Sequence, residues 1–171
     1  VYRLWRNGKI ENNYFLVENR RQIGYDISIP GEGLLIWHID ESQSNCRKEW
    51  FPESDSWGNY KIALEQADGN WDLEKNHNRG DNGDPFPGST ANFSFDRNSL
   101  PSSNDYEGCF SGVNVKNIFQ SGSTMYADFT VSTYSALPGI RTAYDLNEAF
   151  IAQNYPNPFN AETAIVFTIP D

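Results

Sequence analysis

Short runs of alternating hydrophobic and polar residues, separated by Gly, Pro and Asn, recur along most of this chain. A period of two residues is typical of β-strands with one buried face, and no stretch sustains a 3.6-residue period over the length of a helix. The pattern therefore predicts a mainly β fold, built from antiparallel sheets with long loops and little helix. The predicted strands are Tyr14–Val17, Gly33–Asp40, Tyr60–Ala67, Val113–Ile118 and Thr124–Val131.

Two of these strands have a predicted orientation. In GLLIWHID, the run from Gly33 to Asp40, the side chains of Leu34, Ile36 and His38 share one face, and we expect this strand to pair with the strand before it. In Thr124–Val131 the residues of one face are Met125, Ala127, Phe129 and Val131, and those of the other are Tyr126, Asp128 and Thr130. This alternation predicts that one of the two faces is buried.

Helix is predicted only in two short places, Trp71–Lys75 and Asp145–Phe150. The alternating pattern is lost after about residue 132 and resumes near residue 149, where Thr163–Ile169 has the composition of a strand. We therefore expect one domain over residues 1–132, a linker over 133–148 and the start of a second module over 149–171. A lone strand pair is not independently stable in water, so we expect the second module to be cut short here or completed elsewhere.

Composition and charge narrow the class of protein. The 171 residues are 38% hydrophobic and 15% aromatic, which is enough for a real core. A net charge of -10 disfavours nucleic acid and anionic membrane surfaces as partners. No apolar run approaches the roughly 20 residues that span a bilayer. The sequence begins without an initiator Met or the apolar region of a signal peptide, so we expect a fragment or a processed product.

An acidic block, QADGNWDLEKNHNRGDNGDPFPG, runs from Gln66 to Gly88. Carboxylate and amide oxygens are the ligands that calcium prefers, and Gly80 and Gly83 let the backbone turn those groups inward. The spacing is not that of an EF-hand, because His77 stands where the loop glycine belongs. The alternative is a solvated loop whose Asp and Asn side chains only cap turns. The predicted calcium ligands are Asp68, Asp72, Glu74, Asp81 and Asp84.

The two cysteines, Cys46 and Cys109, lie far apart and form no CxxC pair, which argues against a thiolate metal site. A single disulfide is one interpretation, and in an oxidising compartment it stabilises the fold by about 4 kcal/mol in the chain-entropy model. Two unpaired buried thiols are the other interpretation.

Catalytic motifs are missing from the sequence. An HExxH zinc peptidase needs two histidines on one helical turn, whereas the only histidines here, His38 and His77, are widely separated. We expect His38 to pack or hydrogen-bond beside Asp40 and His77 to be solvated. There is no GxSxG motif, and carboxylate pairs such as Asp40 with Glu41, or Asp26 with Glu32, are more typical of exposed strand ends and turns. No catalytic residue is therefore predicted.

Four segments resemble, in order and spacing, the later part of the catalytic region of the immune inhibitor A family of secreted bacterial zinc metallopeptidases. They are NNYFLVENRRQIGYDISIPGEGLLIWHIDE, IALEQADGNWDLE, GDNGDPFPG and SGVNVKNI, and the resemblance covers about Tyr14 to Val131. In that family the zinc helix precedes this region, so zinc would belong to the parent enzyme only. The resemblance implies that the acidic block is structural and binds calcium beside the active-site cleft. It also implies two partners, the rest of the peptidase chain and a protein or peptide substrate.

The end of the chain, FIAQNYPNPFNAETAIVFTIP, resembles the opening of the immunoglobulin-like C-terminal sorting domain of type IX secretion. This second resemblance implies a secreted or cell-surface protein whose partners include the secretion machinery. Independently of any family, Pro156 and Pro158 stiffen an extended segment and remove backbone donors, which suits a sheet edge.

Two functional hypotheses follow. In the first, the chain is the non-catalytic β portion of a secreted hydrolase, a zinc metallopeptidase; it shapes the substrate cleft, binds structural calcium and has no peptidase activity alone. The alternative is a calcium-stabilised β module of a cell-surface protein with a binding or structural role. That module could use exposed Trp50, Trp57 and Trp71 to stack on sugars or peptides.

Overall fold

A computed structural model describes residues 1–133, apart from residues 45, 48, 52, 53 and 55–57. Nearly all of the predicted linker, the module at 149–171, the predicted helix Asp145–Phe150 and Trp57 therefore lie outside the described residues. The described part is mainly β and antiparallel, which confirms the predicted fold class. The strands are β1 (Tyr2–Trp5), β2 (Asn13–Arg20), β3 (Gly33–Asp40), β4 (Ile62–Leu64), β5 (Val113–Ser121) and β6 (Thr124–Val131).

The first four strands form one antiparallel sheet in chain order, β1-β2-β3-β4. The predicted pairing of β3 with the strand before it is confirmed, and it extends from Asn13 opposite Asp40 to Arg20 opposite Gly33. This full-length ladder explains why β2 is longer than the apolar run that predicted it. At one edge β1 adds four residue pairs to β2, and at the other edge β4 adds three to β3.

The remaining strands, β5 and β6, form a hairpin with an irregularity between Lys116 and Phe119. Accessibility alternates along β6, and the face bearing Met125, Ala127, Phe129 and Val131 packs against the core. The prediction of its buried face is therefore confirmed. Burial of the face is also the reason why a strand so rich in polar residues keeps one register, because a slip of one residue would move Asp128 into the core.

The hydrophobic core lies between the four-stranded sheet and the hairpin. Phe15, Val17 and Ile36 from the sheet and Val113 and Val115 from the hairpin are fully buried. Burial of each such side chain stabilises the fold by about 1.5–3 kcal/mol relative to exposure. Two phenylalanines from the long connection between β4 and β5 complete this core, Phe86 and Phe95.

Those two phenylalanines also fix the path of the long connection. Phe86 forms an isolated antiparallel bridge with Leu34 of β3, and Phe95 forms another with Val115 of β5. The rings of Phe86 and Phe95 meet edge to face with centroids 5.9 Å apart. The connection is therefore attached to both sheets by backbone hydrogen bonds as well as by packing, and this attachment positions the acidic block. No helix in the described residues is long and apolar enough to cross a membrane.

Candidate metal centre

Both ends of the acidic block are fixed to the core. At the first end, the buried Ala67 donates its backbone N–H to the carbonyl of Asp84 over 2.9 Å. At the second end, Phe86 and Leu34 exchange backbone hydrogen bonds of 2.8 and 2.9 Å. Residues 68–83 therefore form a closed loop whose ends cannot separate without breaking core contacts.

A buried amide, the side chain of Gln66, shapes the first turn of this loop. Its Oε1 accepts hydrogen bonds from the backbone N–H groups of Asp72, at 2.8 Å, and Leu73, at 3.3 Å. Its Nε2 donates to the carboxylate of Glu74. Trp71 has a positive φ of 54°, which is incompatible with a right-handed helix. No helix forms over Trp71–Lys75. The predicted short helical turn is present only as turn structure, with one hydrogen bond of 2.9 Å from the N–H of Lys75 to the carbonyl of Trp71.

Three of the five predicted ligands converge in the loop. One ligand oxygen from each of Asp68, Asp72 and Asp81 lies within 4.8 Å of the other two, and all three residues are half-buried. Local donors fix two of these carboxylates: Asn70 donates to Asp68 through its backbone and its side chain, at 3.0 Å each, and Asn78 donates to Asp81 at 2.7 Å. We call these three aspartates the loop cluster.

The absence of a side chain at Gly83 leaves space for the carboxylates of the loop cluster. Gly83 donates its N–H to Oδ1 of Asp81 over 2.6 Å. A Cβ at Gly83 would overlap Oδ2 of Asp68 and would lie 2.9 Å from Oδ1 of Asp81. Gly83 does not have a positive φ, so glycine is required here by space and not by backbone conformation. The sequence argument predicted freedom to turn at this position, whereas the structure shows a steric requirement.

Asp84 lies directly behind the loop cluster and is 4% exposed. Its Oδ2 accepts the backbone N–H of Asp81 at 2.6 Å. Burial raises the pKa of Asp84 to about 6, with the negative charges of Asp81, Asp68 and Asp72 adding to that effect. The negative charge of the cluster therefore raises the pKa of Asp84, although Asp84 is not among the three converging carboxylates.

Glu74, the remaining predicted ligand, lies beside a different group of carboxylates. Burial raises its pKa, and the charge of Glu65 contributes to the shift. Together with Glu49 and Glu65 it lines a small cavity of about 20 Å³, roughly the volume needed for one water molecule. Burial, together with the charges of Glu74 and Glu65, raises the pKa of Glu49 to about 8. The sequence analysis did not single out Glu49, because nothing in its local sequence distinguishes it from an exposed glutamate.

The loop cluster has the chemistry of a site for a hard cation. It offers carboxylate oxygens only, which suit calcium better than zinc or copper. Among the described residues, no lysine or arginine forms a salt bridge with Asp68, Asp72 or Asp81. The exposed His77 is a close neighbour of the cluster, with its Nδ1 3.0 Å from Oδ1 of Asp72. The residues present therefore fit a hard divalent cation that prefers oxygen ligands.

His38 is a core residue. It is 1% exposed, with Nδ1 3.3 Å from Oε1 of Glu65 and Nε2 3.1 Å from Oδ1 of Asn13. Its ring stacks on Tyr106 at 4.2 Å and tilts against Phe15 at 4.6 Å. His38 therefore packs and hydrogen-bonds as expected, but its partners are Glu65 and Asn13. Neither histidine belongs to a group of three metal-ligating side chains in the described residues.

Both cysteines, Cys46 and Cys109, are exposed and unbonded in the structure. The predicted disulfide is not formed in this structure. The alternative is confirmed in that both thiols are unpaired, and it is wrong in that neither is buried. Cys109 belongs to a second group of converging ligand atoms, with Asp105 and Glu107, which the sequence analysis missed. The alternating spacing of these three residues is the only signal in the sequence that could have revealed it.

Two of the three tryptophans of the alternative hypothesis, Trp50 and Trp71, lie among the described residues. Trp50 is 52% exposed. Trp71 is half-buried, and the Nζ of Lys75 lies 6.0 Å from its ring centroid. A stacking role for these tryptophans therefore stays a prediction.

No protein-family model, no curated protein and no solved structure matches this chain. The two resemblances drawn from the sequence therefore stay predictions.

Proposed function

We propose that this chain is the non-catalytic β portion of a secreted zinc metallopeptidase of the immune inhibitor A type. In this proposal the loop cluster binds a structural calcium ion that fixes the acidic loop beside the substrate cleft. The convergence of Asp68, Asp72 and Asp81 supports the calcium site, because three carboxylates without a lysine or arginine partner repel one another until a cation binds. The peptidase assignment rests on the resemblance of the sequence segments alone.

The attachment of the loop supports a structural role for the ion. The loop is closed on the core by Ala67 and Phe86, so an ion bound between its two arms would cross-link residues that are distant in sequence. Calcium sites in extracellular modules typically have dissociation constants of roughly 10⁻⁴–10⁻³ M. A half-buried site of three aspartates suits that range, and secretion would expose it to millimolar calcium.

Catalysis in this proposal belongs to the rest of the parent chain, which supplies the zinc helix. The partners are that remainder, a protein or peptide substrate and, through the segment that resembles a sorting domain, the secretion machinery. The 171 residues contain no HExxH, and no zinc site is proposed in them.

Thermal unfolding of the 171-residue protein in EDTA and in calcium tests the metal proposal. At ten times the dissociation constant, calcium should raise the melting temperature by about 3–6 °C. Asp81→Asn should abolish this rise. Asp128→Asn, which removes an exposed carboxylate on β6, should retain it. The absence of any shift in the wild-type protein at 10 mM calcium would contradict the proposal, and an equal shift in Asp81→Asn would place the ion elsewhere.

Two further observations test the peptidase assignment. A digestion assay with casein should show no zinc-dependent cleavage by this chain alone, and cleavage would contradict its non-catalytic role. The open reading frame that encodes the parent protein should carry HExxH upstream. If it does not, the calcium-stabilised binding or structural module becomes the better interpretation.

A further inference from the structure

A cavity of about 310 Å³ lies at one end of the four-stranded sheet, away from the loop cluster. The strand ends explain its position, since β1 ends, β2 begins and β3 ends at this edge, where Asn13 pairs with Asp40. The loop containing Asp105 and Glu107 closes the other side. Its volume lies at the lower end of the range of small-molecule pockets, which is roughly 300–1,000 Å³.

The walls of this cavity carry an excess of negative charge. Among the described residues, Glu11, Asp40, Asp105 and Glu107 line it together with a single cation, Arg6. Arg6 is already engaged, with Nη2 2.9 Å from Oδ2 of Asp105 and Nη1 3.9 Å from Oε1 of Glu11. Its one positive charge is therefore shared between two carboxylates, and the cavity as a whole attracts a further cation.

Two of the four carboxylates already accept hydrogen bonds from groups within the protein. Asp40 accepts hydrogen bonds from Ser42 and Gln43, and Asp105 accepts the backbone N–H groups of Glu107 and Cys109 in addition to Arg6. The carboxylates that are less fully engaged are those of Glu107 and of Glu11, whose contact with Arg6 is long at 3.9 Å. Oε1 of Glu11 is shielded from solvent and accepts no hydrogen bond from the described residues.

The distribution of these groups favours an organic cation over a metal ion. Of the four wall carboxylates, only Asp105 and Glu107 belong to a group of ligand atoms within 4.8 Å of one another. Glu11 and Asp40 are in no such group in the described residues, so the negative charge surrounds the cavity without converging on one point. Carboxylates only accept hydrogen bonds, so the best ligand carries several donors and a positive charge.

From these observations we propose that the cavity binds the guanidinium or ammonium group of an organic cation, the chemistry of a basic amino-acid side chain. Glu11 and Glu107 make the direct ion pairs, while Asp40 and Asp105 hold the walls in place. This proposal does not depend on the calcium site or on the peptidase assignment, because none of its residues belongs to the acidic loop.

Calorimetric titration of the 171-residue protein in EDTA tests the proposal. The probes are N-acetyl-arginine amide, N-acetyl-lysine amide and N-acetyl-citrulline amide, the last being a neutral isostere of the arginine compound. At least one of the two cations should bind at least fivefold more tightly than the citrulline compound, and its affinity should fall with added salt. Comparison of the two cations shows whether a guanidinium or an ammonium group is preferred.

Paired variants then locate the binding. Glu11→Gln combined with Glu107→Gln should weaken binding of the cation by about tenfold, since each partly exposed charge pair contributes roughly a two- to fivefold effect. Glu32→Gln combined with Asp128→Asn removes the same net charge elsewhere and should have little effect. Citrulline binding equal to that of both cations, no saturable binding of either cation up to 20 mM, or equal affinity in the two double variants would each overturn the proposal.

Discussion

The backbone amide of Asp81 donates a 2.6 Å hydrogen bond to Oδ2 of Asp84, so a carboxylate of the loop cluster and the buried carboxylate behind it are joined within one turn. The bond stabilises the ionised form of Asp84, yet its pKa is still raised to about 6, because burial and the neighbouring aspartates outweigh the bond. The charge of Asp84 therefore costs the folded protein stability at neutral pH when no cation is bound.

Asp84→Asn should stabilise the protein in EDTA at pH 7 by about 1–2 kcal/mol. Asparagine keeps an oxygen to accept the Asp81 N–H and removes the repelled charge. The same variant should respond less to calcium, since the cation then relieves less repulsion. Denaturant unfolding with and without calcium measures both effects. A variant that is less stable than wild type in EDTA would show that the repulsion is smaller than the value of the charged hydrogen bond.

Gly83→Ala should destabilise the protein by about 1–3 kcal/mol and reduce its response to calcium, because the new Cβ overlaps the carboxylate of Asp68. Gly24→Ala is the matched control. It has a positive φ of 59° but no atom within 4 Å of the added Cβ, so its cost is conformational, about 1 kcal/mol, and it leaves the calcium response unchanged. Denaturant unfolding compares the stabilities. A wild-type calcium response in Gly83→Ala would contradict the proposed site.

Glu49→Gln should flatten the dependence of stability on pH between about pH 4.5 and pH 8. The folded-state pKa of Glu49 is raised to about 8 from an ordinary value of 4.5. The folded protein therefore retains a proton that the unfolded chain releases, and stability falls as the pH rises through this window.

At pH 8.5, Glu49→Gln should be more stable than wild type by about 1–3 kcal/mol, and at pH 4.5 the two should be nearly equal. The glutamine oxygen can still accept a hydrogen bond from the backbone of Tyr60. Urea unfolding across the pH range measures the difference. A constant difference at all pH values would show that packing and not ionisation separates the two proteins.

Strand prediction from the sequence succeeded where one face is buried. β3 and β6 have the predicted limits, since Gly33 begins the first and a turn containing Gly122 precedes the second. β1 was missed, because four residues at the start of the chain carry no alternation that distinguishes a strand without its partner β2. β4 is shorter than predicted, because after Glu65 the chain leaves the sheet and Ala67 bonds to Asp84 in place of a strand.

The composition of the acidic block predicted a polar loop with converging carboxylates, but spacing did not identify which of them converge. Asp72 and Glu74 are two residues apart, and their side chains enter different surroundings. The separation arises from two hydrogen bonds of the Gln66 side chain. Its Oε1 accepts one from the backbone N–H of Asp72, and its Nε2 donates the other to the carboxylate of Glu74. Contacts of this kind depend on the tertiary position of one buried amide, which no local pattern in the sequence reports.

Phe86→Ala should destabilise the protein by about 3–5 kcal/mol, because Phe86 is fully buried and its removal leaves a cavity beside Phe95. Phe86 also holds the second end of the acidic loop against Leu34, so we expect hydrogen exchange in residues 68–83 to accelerate along with the loss of stability. Phe93→Ala is the control, since Phe93 is 52% exposed and lies in the same connection. It should change stability by less than about 1 kcal/mol. If Phe86→Ala lowered global stability without selectively increasing exchange in the loop, the bridge to β3 would not be what fixes the acidic loop in place.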